Sequence, residues 1–356
     1  MGDEVAMGKE RKQIRVHFVD FSNMDNIIEK ICSILSRHFA VIIDGENPEY
    51  VFYSAFGSEY LKYDCVRIFY TGENIVPDFN LCDYAIGFDH IKFLDRYLRY
   101  PLYLFYETDV QKAARKHQNL SLEVVRNKKR FCNFVVTNGK GDPYREKVFH
   151  ALCAYKRVDS AGKFLNNVGA RVKDKFAFQS ECRFSLCFEN SSTPGYLTEK
   201  LIQAAAAQTI PIYWGDPLAT KPLFDGGGGI NAKAFINAHE FANIASLVRH
   251  IESIENDENK QLAILQEPLF LDSNHIELFE KQFEDFLVYI FSQPYERSFR
   301  RGKIMWQAHL EQIIKKGVQP TMLEIWLRRP LRNFERAIRI RVKKIIQKVK
   351  KPKDFM

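Results

Sequence analysis

The sequence predicts an α/β protein of two successive blocks, each built on a mainly parallel sheet. Three observations carry this. From about residue 12, short apolar runs of strand length alternate with amphipathic stretches. The alternation pauses at a polar, basic segment, QKAARKHQNLSLEVVRNKKR at 111–130, and then resumes. The chain of 356 residues, 46% hydrophobic and 27% charged, has the length and composition for two folded cores.

In the first block, Gln13–Asp20 reads as a strand. Met24–Arg37 reads as a helix, with Ile27, Ile28, Ile31, Ile34 and Leu35 on one face. Phe39–Ile43, Tyr50–Tyr53, Val66–Tyr70 and Tyr84–Phe88 are nearly continuous apolar runs, the pattern of parallel strands covered on both faces. The second block runs strand Phe131–Val136, helix Pro143–Ala154, strand Arg183–Phe188, helix Thr198–Ala207 and strand Thr209–Trp214. Helical patterns follow at Glu240–Glu255 and Ile276–Phe291. The expected division is 12–125, 126–300 and a helical tail at 301–356, with ligand bound in a cleft between the first two.

Fifty-two Lys and Arg against 44 Asp and Glu give a formal charge of +8. Twelve of those cations and only one of the acids lie in Arg328–Lys353, so the body is close to neutral. Leu331, Phe334, Ile338, Val342, Ile345 and Val349 recur there at spacings of three and four. This is one apolar stripe on an otherwise cationic helix, suited to an anionic membrane surface. A helix docked on the body with a solvated basic face, or a nucleic-acid contact, fits the same charges. The aromatic interleaving of a single-strand binder is absent.

No uncharged stretch reaches the roughly 18–20 residues of a spanning helix. The N-terminal MGDEVAMGKERK has no apolar core, so it does not read as a secretory signal. Seven cysteines, odd in number, without Cys-x-x-Cys and mostly in apolar runs, predict reduced thiols and a cytosolic chain. Gly226–Gly229 lacks the strand–turn–helix context of a phosphate loop. The nine histidines show no metal-ligand spacing.

Arg183–Pro217 carries the chemistry: a strand, a polar turn, a helix and a second strand. The turn Glu189–Thr198 falls at the carboxyl end of a parallel strand, with Thr198 as the expected N-cap. Lys200 in the first turn opposes the helix dipole, which an anion site would select and a solvated lysine would tolerate.

The segment FENSSTPGYLTEKLIQAAAAQTIPIYWG resembles the signature of the α1,3/α1,4-fucosyltransferases, most of all their bacterial members that decorate lipopolysaccharide. Weaker similarity extends over about 70–217. The heptad repeats of some members are absent and their basic amphipathic tail is present. The resemblance implies a glycosyltransferase B-type fold, two Rossmann-like domains facing a cleft. The N-terminal domain would bind acceptor and the C-terminal one GDP-fucose. Tyr196, Glu199 and Lys200 take donor-binding positions in Gly-Tyr-x-Thr-Glu-Lys, with Lys200 on the diphosphate, Glu199 on donor hydroxyls and Asn190 in the same pocket.

Thr137 and Asn138 match a further donor stretch, with one residue more than usual before Arg145, the second expected phosphate clamp. Val172, Lys173 and Lys175 match a third, which otherwise reads as an exposed basic loop. Glu73, after the strand ending at Tyr70, matches the general base. No Asp-x-Asp occurs, in keeping with a metal-independent enzyme that requires no cofactor; Mn²⁺ stimulation is left open. The implied partners are GDP-fucose, an N-acetyllactosamine-type acceptor and the inner face of the cytoplasmic membrane, with no nucleic acid. Self-association through the C-terminal helices is left open, as are an α1,4 or dual specificity and a non-catalytic binder driven by the tail.

Overall fold

The computed structural model describes residues 11–22, 24–115, 119–222, 229–272 and 274–318. The expected basic helix at Arg328–Lys353 therefore lies outside the described residues. The chain forms two compact units, Met1–Arg300 and Arg301–Met356.

The first unit contains two sheets. Strands β1 (Gln13–Val19), β2 (Ala40–Ile43), β3 (Tyr50–Tyr53), β4 (Val66–Tyr70), β5 (Tyr84–Gly87) and β6 (Tyr97–Arg99) form one, in the order β2-β1-β3-β4-β5-β6. Every pairing is parallel. Its helices include α1 (Asp25–His38) and α2 (Glu107–Ala113). The short α3 (Leu122–Arg126) leads into β7 (Arg130–Phe134), α4 (Tyr144–Tyr155), β8 (Val158–Ser160), α5 (Lys175–Ser180), β9 (Cys182–Phe188), α6 (Glu199–Ala206), β10 (Ile210–Trp214) and β11 (Ile236–Asn237). These strands form the second sheet, also all parallel, in the order β11-β10-β9-β7-β8. Helices α7 (Ile244–Glu255), α8 (Glu258–Gln266) and α9 (Asn274–Ser292) complete the unit.

The central strands are buried on both faces, which is why their sequences do not alternate. All four residues of β3 and all five of β4 are buried, Arg67 included. The Arg67 guanidinium is accommodated by donating to the Tyr63 carbonyl at 2.8 and 3.1 Å. No disulfide joins any of the seven cysteines, five of which are buried.

Sequence order and spatial grouping part company at α9. This helix follows the second sheet in the chain but packs on the first. Phe283 stacks on Tyr100 with ring centroids 4.4 Å apart, and Phe291 meets Tyr50 at 4.3 Å. At its edge Glu280 pairs with Lys30 of α1, and Glu284 with Arg37, both at 2.8 Å. Each large apolar side chain so buried contributes about 2 kcal/mol, enough to return the chain to the first sheet.

In the second unit, α10 (Trp306–Val318) carries Glu311, which pairs with Lys315 at 3.0 Å and with Arg301 at 3.4 Å.

Candidate active site

In the second sheet the strand order reverses at β7, so the loops after β7 and β9 diverge and leave a crevice at their carboxyl ends. A cavity of about 390 Å³ opens there. Its lining includes Thr137 and Asn138 after β7, Val172, Lys173 and Lys175 at the start of α5, and Asn190, Glu199 and Lys200 around the start of α6. Eight residues expected at the donor site from three separate stretches are thus brought to one cavity. A second cavity, of about 560 Å³, is lined by both Glu73 and Tyr196. Asn138 and Asn190 line both, so the two are contiguous. Beside Glu73, Asn74 donates to Ser191 Oγ at 2.5 Å and Thr193 Oγ1 at 2.7 Å, tying the loop after β4 to the loop after β9.

The start of α6 departs from expectation in one detail. Thr198 is the N-cap residue, but its side chain caps no helix amide. Its hydroxyl, and its backbone N–H at 2.8 Å, go instead to Glu189. Glu189 stands directly after β9 with 0% exposure and also accepts from Lys200 Nζ at 2.7 Å. Three donor groups, the Thr198 amide and hydroxyl and the Lys200 ammonium, thus converge on one buried carboxylate, and they orient Lys200. Glu189 was not among the expected site residues. Two sequence signals could have found it: a carboxylate at the first position beyond an apolar strand, and its place as the second residue of the FENSS signature.

Burial pushes the Glu189 carboxyl up, against the attraction of Lys200. For Lys200, burial disfavours the charge, but Glu189 and Glu199 outweigh it and hold the ammonium above its ordinary value. Burial would likewise raise Glu199, yet the cations of Lys200 and Lys175 hold it below its ordinary value. Lys175 is shifted down by burial, with Glu199 opposing. Its Nζ donates to Gln203 Oε1 at 2.6 Å, and Gln203 Nε2 donates to Asp109 of α2 at 2.9 Å. The site therefore keeps fixed cations in a partly dry crevice, where they act on an anion through little screening.

Arg145 does not enter either cavity. It is 1% exposed, with Nη1 donating to Asn190 Oδ1 at 2.9 Å and Nη2 to the Asn138 carbonyl at 2.7 Å. It thereby joins two residues, Asn138 and Asn190, that line both cavities. Burial holds its guanidinium below the ordinary value, with Asp142 and Glu189 opposing. Tyr196 is also buried, its ring 5.0 Å from that of Phe88. Gly195 ahead of it has φ +87, and a Cβ there would lie 2.5 Å from the Phe88 carbonyl oxygen, so only glycine permits this approach. Among the described residues, no three His, Cys, Asp or Glu side chains are grouped as a metal site.

The profile of the α-(1,3)-fucosyltransferase N-terminal domain matches residues 16–106, and that of the glycosyltransferase family 10 (fucosyltransferase) C-terminal region matches 125–265. A crystal structure of an α1,3-fucosyltransferase with GDP-fucose is 30% identical with a TM-score of 0.61, and the match covers 78% of this chain and 93% of that one. The chain belongs to the family 10 fucosyltransferases. Its two sheets match the glycosyltransferase B-type fold of those structures.

Among fucosyltransferases from curated sets, the α-(1,3)-fucosyltransferase FucT of Helicobacter pylori is 36% identical over 272 residues, covering 66% of this chain and 55% of the relative. The human 3-galactosyl-N-acetylglucosaminide 4-α-L-fucosyltransferase is 25% identical over 184 residues, 49% of this chain and 48% of the relative. The chain thus spans about half the length of these curated fucosyltransferases.

Proposed function

We propose that this family 10 fucosyltransferase transfers L-fucose from GDP-β-L-fucose to the 3-hydroxyl of GlcNAc in Galβ1,4GlcNAc, with inversion, to give a Lewis x product on lipopolysaccharide O-antigen. The observation that carries the reading is the pair of contiguous cavities. Glu73 lines one, and Lys173, Lys175 and Lys200 line the other. A base from one sheet thereby faces an anion site built on the other.

Glu73 takes the proton of the acceptor hydroxyl as that oxygen bonds to the anomeric carbon of fucose. The bond from that carbon to the β-phosphate oxygen breaks, and GDP departs with the electron pair. Because attack and departure occur on opposite faces, the β-linked donor gives an α-linked product. Lys200, Lys173 and Lys175 stabilise the charge growing on the diphosphate, and Glu199 and Asn190 accept and donate hydrogen bonds to the donor. The fixed cations take the part a metal ion plays elsewhere, so the reaction proceeds without one. The basic segment Arg328–Lys353 holds the enzyme at the inner face of the cytoplasmic membrane.

The test is GDP release from GDP-fucose in EDTA buffer, with and without N-acetyllactosamine, with the product linkage assigned by mass spectrometry and NMR. Acceptor-dependent release with a 3-linked fucose supports the reading. A 4-linked product would replace the α1,3 assignment, and loss of activity in EDTA restored by Mn²⁺ would refute metal independence. Tight GDP binding with no transfer to any β-galactoside would refute the acceptor assignment.

A further inference from the structure

The cavity beside Glu73 has an apolar side that proton transfer does not use. Phe56, in the loop after β3, is 47% exposed, and Ile75, just beyond Glu73, is 45% exposed. Both line the 560 Å³ cavity together with Glu73. The neighbouring aromatics do not cover Phe56: Tyr53 and Tyr60 stack on each other at 4.0 Å.

The loop presenting this ring is firmly built. Asp20, directly after β1, takes the left-handed conformation with φ 61. Its carboxylate accepts from the amides of Glu59 and Tyr60, both at 3.0 Å, and its carbonyl from the amide of Phe56 at 3.2 Å. A Cβ at Gly57 would lie 2.1 Å from Asp20 Oδ1, so the loop closes this tightly only with glycine there. The result is a large ring held partly in water at a set position next to the base, which costs stability that a polar residue would not. Lys140, Asp142 and Ser191 line the same cavity and offer hydrogen-bonding groups there.

An apolar surface and polar groups on one cavity match a hexopyranose, whose ring has C–H faces and hydroxyl edges. Galactose suits it most, because its axial 4-hydroxyl sits on one face and leaves H3, H4 and H5 together as a continuous apolar patch on the other. We infer that Phe56 is the platform on which the galactose unit of the acceptor stacks, making it the residue that selects a disaccharide over GlcNAc alone. This rests on the fucosyltransferase function proposed above.

The experiment compares wild type, Phe56→Ala and Phe56→Trp with N-acetyllactosamine and with GlcNAc. Phe56→Ala should raise the KM for the disaccharide about tenfold, the upper range of one aromatic contact. The kcat/KM for GlcNAc should stay within twofold, as should the KM for GDP-fucose and its slow acceptor-free hydrolysis. Phe56→Trp should restore the disaccharide KM to within threefold of wild type, which a purely structural role would not predict. An unchanged disaccharide-to-GlcNAc preference in Phe56→Ala overturns the inference.

Saturation-transfer NMR of N-acetyllactosamine with the GDP-bound protein reads the same contact without turnover, as saturation of the galactose C–H protons that is lost in Phe56→Ala. Such saturation in a wild type that transfers nothing would refute the proposed reaction and leave the platform standing. Absence of galactose saturation in the wild type would overturn the platform, whatever the activity.

Discussion

Replacing Lys200 by Ala removes the only cation within hydrogen-bonding distance of Glu189 among the described residues, at 2.7 Å, and leaves a carboxylate of 0% exposure without its counter-charge. Removing one partner of a buried pair costs about 3–5 kcal/mol. The protein can escape part of that by protonating Glu189, whose ordinary value is 4.5. At pH 7.5 this costs about 1.36 kcal/mol for each of three pH units, a ceiling of about 4 kcal/mol; at pH 5.5 the ceiling falls to about 1.4. The sign follows from direction. A carboxyl held above its unfolded value contributes stability that is present below about pH 4.5 and lost as pH rises through the folded value.

The deficit of Lys200→Ala against wild type should therefore widen upward from about pH 4.5 and be larger at pH 7.5 than at 5.5 by about 2 kcal/mol. Glu199 keeps Lys175 as a counter-charge and so contributes less. Urea denaturation at the two pH values measures it, urea being chosen because it adds no salt. Glu189→Gln in the same background, which can still accept from Thr198, should abolish the pH-dependent part. An equal deficit at both pH values, or a double variant as pH-dependent as the single, would refute the buried pair as the source. The single variant should also weaken GDP binding, since Lys200 lines the cavity proposed for the donor.

Glu73→Gln should lower kcat by about 10²–10⁴ while the Kd for GDP-fucose, measured by calorimetry, changes no more than a few-fold; near-normal turnover would remove Glu73 as the base. Gly195→Ala should cost about 2–4 kcal/mol, because φ +87 and a 2.5 Å approach to the Phe88 carbonyl must both be relieved. Its Tm should drop by at least about 4 °C by calorimetry, and an unchanged Tm would contradict the packing described. The full chain should bind anionic vesicles in a salt-sensitive way, and deletion of Arg328–Lys353 should abolish binding while sparing activity on soluble acceptors; equal binding to neutral vesicles at high salt would contradict the electrostatic account.

The architecture was legible because strands β3, β4 and β9 are mostly apolar, broken only by Arg67 in β4 and by Arg183 and Ser185 in β9, and the helices between them are amphipathic, patterns that local period and length reveal. Tyr50–Tyr53 and Val66–Tyr70 are bounded in the structure as the sequence predicts. The edge strands β6, β8 and β11, two or three residues long, were not legible. β8 even carries Asp159, buried because Arg130 and Arg157 each reach it at 2.8 Å from outside the strand. No period exists in three residues, and pairing with a neighbour makes the strand.

By itself the sequence determined the two α/β blocks, the family signature at Phe188–Gly215 and the residue types that gather at the 390 Å³ cavity. Only the tertiary structure decided how they are used. It sent α9 back to the first sheet, since burying Phe283 and Phe291 depends on surfaces far away in the chain. It gave the Thr198 hydroxyl to Glu189 instead of the helix amides, and buried Arg145 against Asn138 and Asn190. It also set Phe56 beside Glu73, two residues on separate loops that meet because β3 and β4 are neighbours. Pattern along a chain records which face of an element is apolar; charge, burial and reach are properties of neighbours, and neighbours come from folding.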